Sequence, residues 1–110
     1  MRNLQEVFSG KTGTGSSTEI GRRKLLKYRN QPIQAKLVLS YGSTPTITIY
    51  IQGQELDGTW TNLVNATYTT GTPQYLRVPI QKRHRKYRLN ITANTNVTVT
   101  AYLGQGEVEN

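Results

Sequence analysis

The stretch TITIYIQGQELDGTWTNLV, residues 46–64, decides the fold of this chain. From Ile47 to Ile51, isoleucine alternates with polar residues, and this period of two places three β-branched side chains on one face of a strand. Asp57-Gly58 interrupts the pattern, and Asp-Gly between two extended runs is a strong signal of a β-hairpin. A lone hairpin is barely stable in water, so the remaining strands are expected to cover the isoleucine face.

The same alternation recurs before and after this stretch, with turn signals between the runs. Strands are predicted at 33–41, 46–52, 59–64, 75–80, 87–91 and 97–103. The last two are expected to form a hairpin through a turn at 93–96, and Trp60 is expected in the core. A helical turn fits only within residues 20–30, which fit an extended connector equally well. The pattern therefore predicts an all-β fold, an antiparallel β-sandwich of six to seven strands, for which a jelly roll is one topology.

The N-terminal residues have a different composition from the rest of the chain. Residues 1–19 are rich in Gly, Ser and Thr and contain SGKTGTGSST, which favours a flexible arm that is disordered in the free protein. The expected organisation is an extended basic arm at 1–30, a sandwich domain at 31–104 and a polar, acidic tail at 105–110. Val7 and Phe8, an adjacent apolar pair in the arm, are expected to anchor it to a neighbouring protein.

The chain is strongly basic, with a net charge of +8 and a pI of about 10.1. Ten of the 14 Lys and Arg residues lie in two short basic segments, residues 22–29 and 82–88, so the charge is localised and is expected to face an acidic partner. The first segment fits a clamp on a partner or a solvated linker, and the second fits an acidic protein surface or nucleic acid. The predicted partner-binding residues are Val7, Phe8, Arg22, Arg23, Lys24, Lys27, Arg29, Lys82, Arg83, Arg85 and Lys86.

The composition argues against catalysis and against a metal or cofactor site. There is no cysteine, His84 is the single histidine, and the chain carries six acidic residues. These side chains are too few to assemble a catalytic zinc site or a nucleophile with its base. No run approaches the roughly 18–20 apolar residues of a membrane span. We therefore expect a protein that is not an enzyme, takes no cofactor and has no membrane partner.

Three segments carry a family resemblance. ITIYIQGQELDGTWTNLV, KYRLNIT and VTVTAYLG resemble the small β-sandwich virion proteins of tailed bacteriophages, most of all the capsid decoration, or cement, proteins. The resemblance covers residues 33–103 and implies a non-enzymatic protein of the capsid surface, assembled in the host cytoplasm. Such a protein binds the major capsid protein and copies of itself and stabilises the shell. Phage neck or tail proteins share this sequence pattern and are one alternative. A nucleic-acid-binding β-domain and a carbohydrate-binding sandwich that uses Trp60 are two further alternatives.

Overall fold

The computed structural model describes residues 2–28, 31–78 and 83–106, and most of these residues lie in β-strands. The elements are β1 (Arg2–Lys11), β2 (Gly15–Ser16), β3 (Ile20–Gly21), α1 (Arg22–Leu25), β4 (Ile33–Gln54), β5 (Trp60–Tyr68), β6 (Gln74–Val78) and β7 (Lys86–Gln105). Every strand pairing among them is antiparallel. The predicted antiparallel all-β fold is therefore confirmed, and hydrogen bonds join all seven strands into one sheet.

Two long strands, β4 and β7, form the frame of the sheet. They pair along almost their whole length, from Ile33 opposite Gln105 to Gly53 opposite Tyr87. The turns predicted at 42–45 and 93–96 are instead bends within these strands, where the pairing register shifts. The predicted hairpin between 87–91 and 97–103 is wrong, because both segments belong to β7 and each pairs with β4.

The bends divide the sheet into two halves that share one core. One half consists of β2, β3 and β5 together with residues 46–54 of β4 and 86–93 of β7. The other half consists of β1 and β6 together with residues 33–41 of β4 and 97–105 of β7. Buried side chains from both halves belong to a single hydrophobic cluster, so the sheet folds over on itself as the two layers of a sandwich. The isoleucine row from Ile47 to Ile51 is completely buried in this core, as the alternation predicts.

The N-terminal residues form part of the sheet, which differs from the expected flexible arm. β1 pairs with the second half of β7, with register shifts that include one between Glu6 and Phe8. Successive strand residues normally point to opposite faces, but a bulge allows neighbouring side chains to share one. Val7 and Phe8 are consequently both in the core, only 5% and 6% exposed. At the other terminus, the predicted tail begins with Gln105, which is a buried residue of β7.

Trp60 lies outside the core, so its predicted core position is wrong. The β4–β5 hairpin forms as expected, but a register shift after Ile51 places Trp60 opposite Gln54. Directly paired residues on neighbouring strands share a face of the sheet. Trp60 therefore lies on the outer face with Gln54, partly exposed, and the Arg88 guanidinium lies 4.0 Å from its ring centroid.

Candidate partner-binding surface

The two basic segments, far apart in sequence, adjoin in the fold. β3 pairs with the start of β7, which places Ile20 opposite Tyr87 and Gly21 opposite Lys86. One residue further on, the backbone N–H of Arg22 donates a hydrogen bond of 2.9 Å to the carbonyl of Arg85. The pairing therefore joins the two charge clusters into one surface.

The local structure of the first segment turns its cations outward. Ile20 and Leu25 are buried and hold the short helix α1 against the sheet, while the Asn3 amide donates to the carbonyls of Lys24 and Leu25. We call the resulting surface the basic end. It consists of seven exposed residues, Arg22, Arg23, Lys24, Lys27, Arg83, Arg85 and Lys86.

The basic end occupies the end of the folded sheet that is opposite the two bends. The first segment touches both ends of β7: Gly21 pairs with Lys86, and the backbone of Tyr28 exchanges hydrogen bonds of 2.9 and 3.0 Å with the Gln105 side chain. Because β7 bends in its middle, its two ends meet there. The positive charge is thus concentrated at one pole of the molecule.

The predicted partner-binding residues fall into three groups. Seven of them form the basic end, where their accessibility suits them to binding and their role in binding stays a prediction. Val7 and Phe8 lie in the core and do not face a partner in this structure. Arg29 and Lys82 lie outside the described residues.

His84 holds the second basic segment in place, a role that the sequence pattern did not indicate. Its side chain is 5% exposed and packs on Gly53, and its Nε2 lies 3.2 Å from Oε1 of Glu55. Its backbone N–H donates a 2.9 Å hydrogen bond to the Tyr87 hydroxyl, and the two rings meet edge to face at 5.8 Å. Glycine inside a strand often marks a close approach, so Gly53 was the signal available in the sequence.

The pKa of the Tyr87 phenol depends on burial and on charges from both basic segments. Burial raises the pKa of its phenol, since the charged form loses its hydration. The hydrogen bond from His84 and the positive charges of Arg22 and Arg83 act in the opposite direction. Cations from both basic segments therefore act on the same buried hydroxyl.

Acidic residues interrupt the basic end at its rim. Lys86 Nζ lies 3.3 Å from Glu19 Oε1, an exposed pair of the kind that contributes little to stability. The β4–β5 hairpin brings Glu55 close to the second segment, where the backbone N–H of Arg85 donates to the Gln54 carbonyl at 3.1 Å. The surface consequently carries a pattern of both charge signs with a large positive excess.

The opposite pole holds a polar cleft of about 590 Å³ that lies at the two bends. Two of its amides already have partners: Asn94 donates to the carbonyls of Gly13 and Val97, and Asn96 donates to the carbonyl of Ser43. Thr44 and Asn96 have positive φ angles of 47° and 56°, which the change of strand direction requires. These amides brace the bends, so we assign the cleft a structural role.

The described residues show no arrangement suited to a metal ion. No group of three or more His, Cys, Asp or Glu side chains occurs within residues 2–28, 31–78 and 83–106. The helix found in these ranges is also too short to cross a membrane. What the site offers chemically is positive charge and hydrogen-bond donors on a rigid sheet.

Comparison with known proteins gives a match in fold. No family model matches the chain, and no curated protein matches its sequence. The crystal structure of the SPBc2 prophage-derived protein YomS is similar, with a TM-score of 0.60 at 12% sequence identity. The match covers 94% of this chain and 91% of that one. At this identity the similarity shows that the two chains share a fold along nearly their whole length.

Proposed function

We propose that this protein is a non-enzymatic structural protein of a bacteriophage particle, which binds an acidic surface of a neighbouring protein through its basic end. The observation that carries the proposal is the convergence of two distant basic segments at one pole of the folded sheet. Similarity in fold to a prophage-derived protein supports a phage origin. The finer proposal is a capsid decoration protein at the capsid surface, assembled in the host cytoplasm, whose partners are the major capsid protein and copies of itself.

The folded N-terminus changes how such a protein would attach. A free arm would have supplied contact area by becoming ordered on the partner, at a cost of about 1–2 kcal/mol per residue. β1 is already part of the sheet, so this cost is met during folding. Attachment through the preformed basic end then needs little reorganisation, which favours affinity at a given contact area.

The charge pattern favours a protein partner over nucleic acid. Nucleic acid presents closely spaced phosphates and is best matched by a continuous basic track. The basic end instead has Glu19 paired with Lys86, and Glu55 beside the second segment. Interspersed charges of both signs suit a patterned protein surface, on which they set orientation and register. A phage neck or tail protein would use such a surface in the same way and is the main alternative position.

Co-sedimentation with purified empty and DNA-filled shells tests the proposal. Replacement of Arg22 and Arg23 by Ser should weaken attachment to both kinds of shell to the same degree, because the partner is protein. The matched control replaces Lys11 and Lys36 by Ser, which removes the same charge outside the basic end. The control should retain attachment, particularly at salt concentrations where long-range attraction is screened.

Two results would count against this function. If the protein bound naked duplex DNA as tightly as empty shells, and this binding were lost in the basic-end variant, the nucleic-acid-binding alternative would be established. Equal losses in the two double variants would show that only net charge matters and that the basic end is not an interface. Binding to purified tail or neck assemblies, but not to shells, would move the protein to those parts of the particle.

A further inference from the structure

Beside the basic end, an arginine is fixed on the outer face of the sheet. Arg88 follows Lys86 by two residues on β7, so the two side chains share a face. Its guanidinium lies over the Trp60 ring at 4.0 Å, and its Nε–H donates a 2.8 Å hydrogen bond to Gln52 Oε1. The Gln52 amide in turn donates 2.8 Å to Asn62 Oδ1. We call these four residues, from β4, β5 and β7, the Arg88 shelf.

A hydrogen bond and a ring contact set the position of the Arg88 guanidinium on the shelf. Gln52 is 7% exposed and lies opposite both Arg88 and Asn62 in the pairing register, so the anchor of the network is buried. A guanidinium has five N–H donors, and the structure assigns one of them a hydrogen-bond acceptor. Within residues 2–28, 31–78 and 83–106, the terminal Nη groups of Arg88 make no hydrogen bond or ion pair. The donors are therefore oriented and unused.

We propose that the Arg88 shelf is the anchor point of the partner interface and binds a side-chain carboxylate from an acidic segment of the partner protein. The inference rests on the proposed function and deepens it, since it names a chemical group and the residue that receives it. The paired Nη groups match the two oxygens of a carboxylate in a bidentate contact. Arginine and tryptophan are also the residues most enriched at the energetic centres of protein interfaces.

The surroundings favour a carboxylate of a protein over a nucleic-acid strand. On this face Arg88 has the neutral amides of Gln52, Asn62 and Asn90 as neighbours, while the neighbouring cation, Lys86, is paired with Glu19 at 3.3 Å. A nucleic-acid strand would need further cations along its path, together with aromatic faces open to stacking. One face of Trp60 is already covered by Arg88. A single planar anion with hydrogen-bonding neighbours fits this environment better.

Trp60 provides a direct readout, because it is the single tryptophan of the chain. Titration with a hexaglutamate peptide should change its fluorescence in a saturable way. Arg88→Lys keeps the charge but removes the planar donor pair, and it should weaken binding roughly ten- to hundredfold, as expected for hydrogen bonds to charged groups. Arg77→Lys on β6 makes the same change away from the shelf and should leave the affinity unchanged. Circular dichroism establishes that each variant is folded.

Each outcome decides the proposal. Equal hexaglutamate affinity in wild type and Arg88→Lys would overturn it, while shell binding through the basic end would still stand. A thymidine oligonucleotide that binds more tightly than hexaglutamate, in an Arg88-dependent way, would reassign the shelf to nucleic acid. Trp60 fluorescence that changes with neither probe would also refute the proposed role of the Arg88 shelf. If Arg88→Lys does not fold, the side-chain Nε–H signal of wild-type Arg88 should shift with hexaglutamate in NMR, and an unchanged signal would overturn the proposal.

Discussion

Replacing Gly53 by alanine tests how the second basic segment is held. A β-carbon built at this position would lie 2.5 Å from Cγ of His84 and 2.8 Å from its Nδ1. The imidazole is buried, its Nε2 lies 3.2 Å from Glu55 Oε1, and its ring packs edge to face against Tyr87. It cannot move aside without breaking those contacts. Gly53→Ala should therefore push His84 out of its site and loosen residues 83–86.

The sign of the stability change separates the clash from ordinary strand preference. Alanine in a strand interior is normally more stable than glycine by about 0.5–1 kcal/mol. An extra buried carbon in a packed site costs about 1–3 kcal/mol. We expect a net loss of about 1–2 kcal/mol for Gly53→Ala. Gly21→Ala is the matched control, since nothing lies within 4 Å of a β-carbon there, and its effect should stay within about 0.5 kcal/mol.

A double-mutant cycle identifies the ring as the cause. In a His84→Ala background the space is empty, so Gly53→Ala should become stabilising by about 0.5–1 kcal/mol. Urea unfolding followed by Trp60 fluorescence gives the free energies, with the m-value checked for each variant. The same cost for Gly53→Ala with and without the imidazole would refute the reasoning, because the backbone and not His84 would then be responsible.

Three further predictions concern the core, the outer face and pH. Phe8→Ala should cost about 3–5 kcal/mol in urea unfolding, since the ring is buried, whereas a loss below about 1 kcal/mol would mean that β1 is loosely attached. Trp60→Ala should cost only about 1–2 kcal/mol by thermal melting, and a variant unfolded at room temperature would restore the core assignment. Burial raises the pKa of Tyr87 above the ordinary value of about 10, so the unfolded state loses its proton first. Stability should therefore fall as pH rises from about 10 through the folded pKa. The stability of the Tyr87→Phe variant, measured as the urea midpoint, should fall less steeply over the same pH range. Identical slopes for the two proteins would contradict this.

The sequence predicted those features of the fold that depend on local patterns. Alternation from 33 to 39, at the isoleucine row and from 87 to 91 shows which side chains point inward, and the structure buries them. Asp57-Gly58 likewise marks a real hairpin between β4 and β5. The residues at 42–45 and 93–96 have the composition of turns, but the same residues suit a bend. Only the pairing of each half of β7 with β4, which is a long-range property, distinguishes the two.

Two mistaken expectations, and one feature that the sequence did not predict, depend on irregular or very short strands. Glycine and polar residues in the N-terminal segment suggest disorder, yet Asn3 and Gly10 adopt positive φ angles of 56° and 63° within an irregular paired strand. A register shift likewise decides that Trp60 faces outward, and no local pattern shows where it occurs. Convergence of the basic segments depends on a two-residue strand, β3, which is too short to leave any periodicity.

The basic end lowers the stability of the isolated chain through charge repulsion, and this loss is relevant to the proposed role in binding. Seven exposed cations at one pole repel one another, while the ion pair that Glu19 makes with Lys86 is exposed and weak. These segments are nevertheless held together by the buried His84, by its close contact with Gly53 and by the pairing of β3 with β7. An acidic partner would replace the mutual repulsion by attraction, and by linkage it would stabilise the folded state that presents the surface. A charge arrangement that weakens the free protein and strengthens the complex is what we expect of a component that works in an assembly.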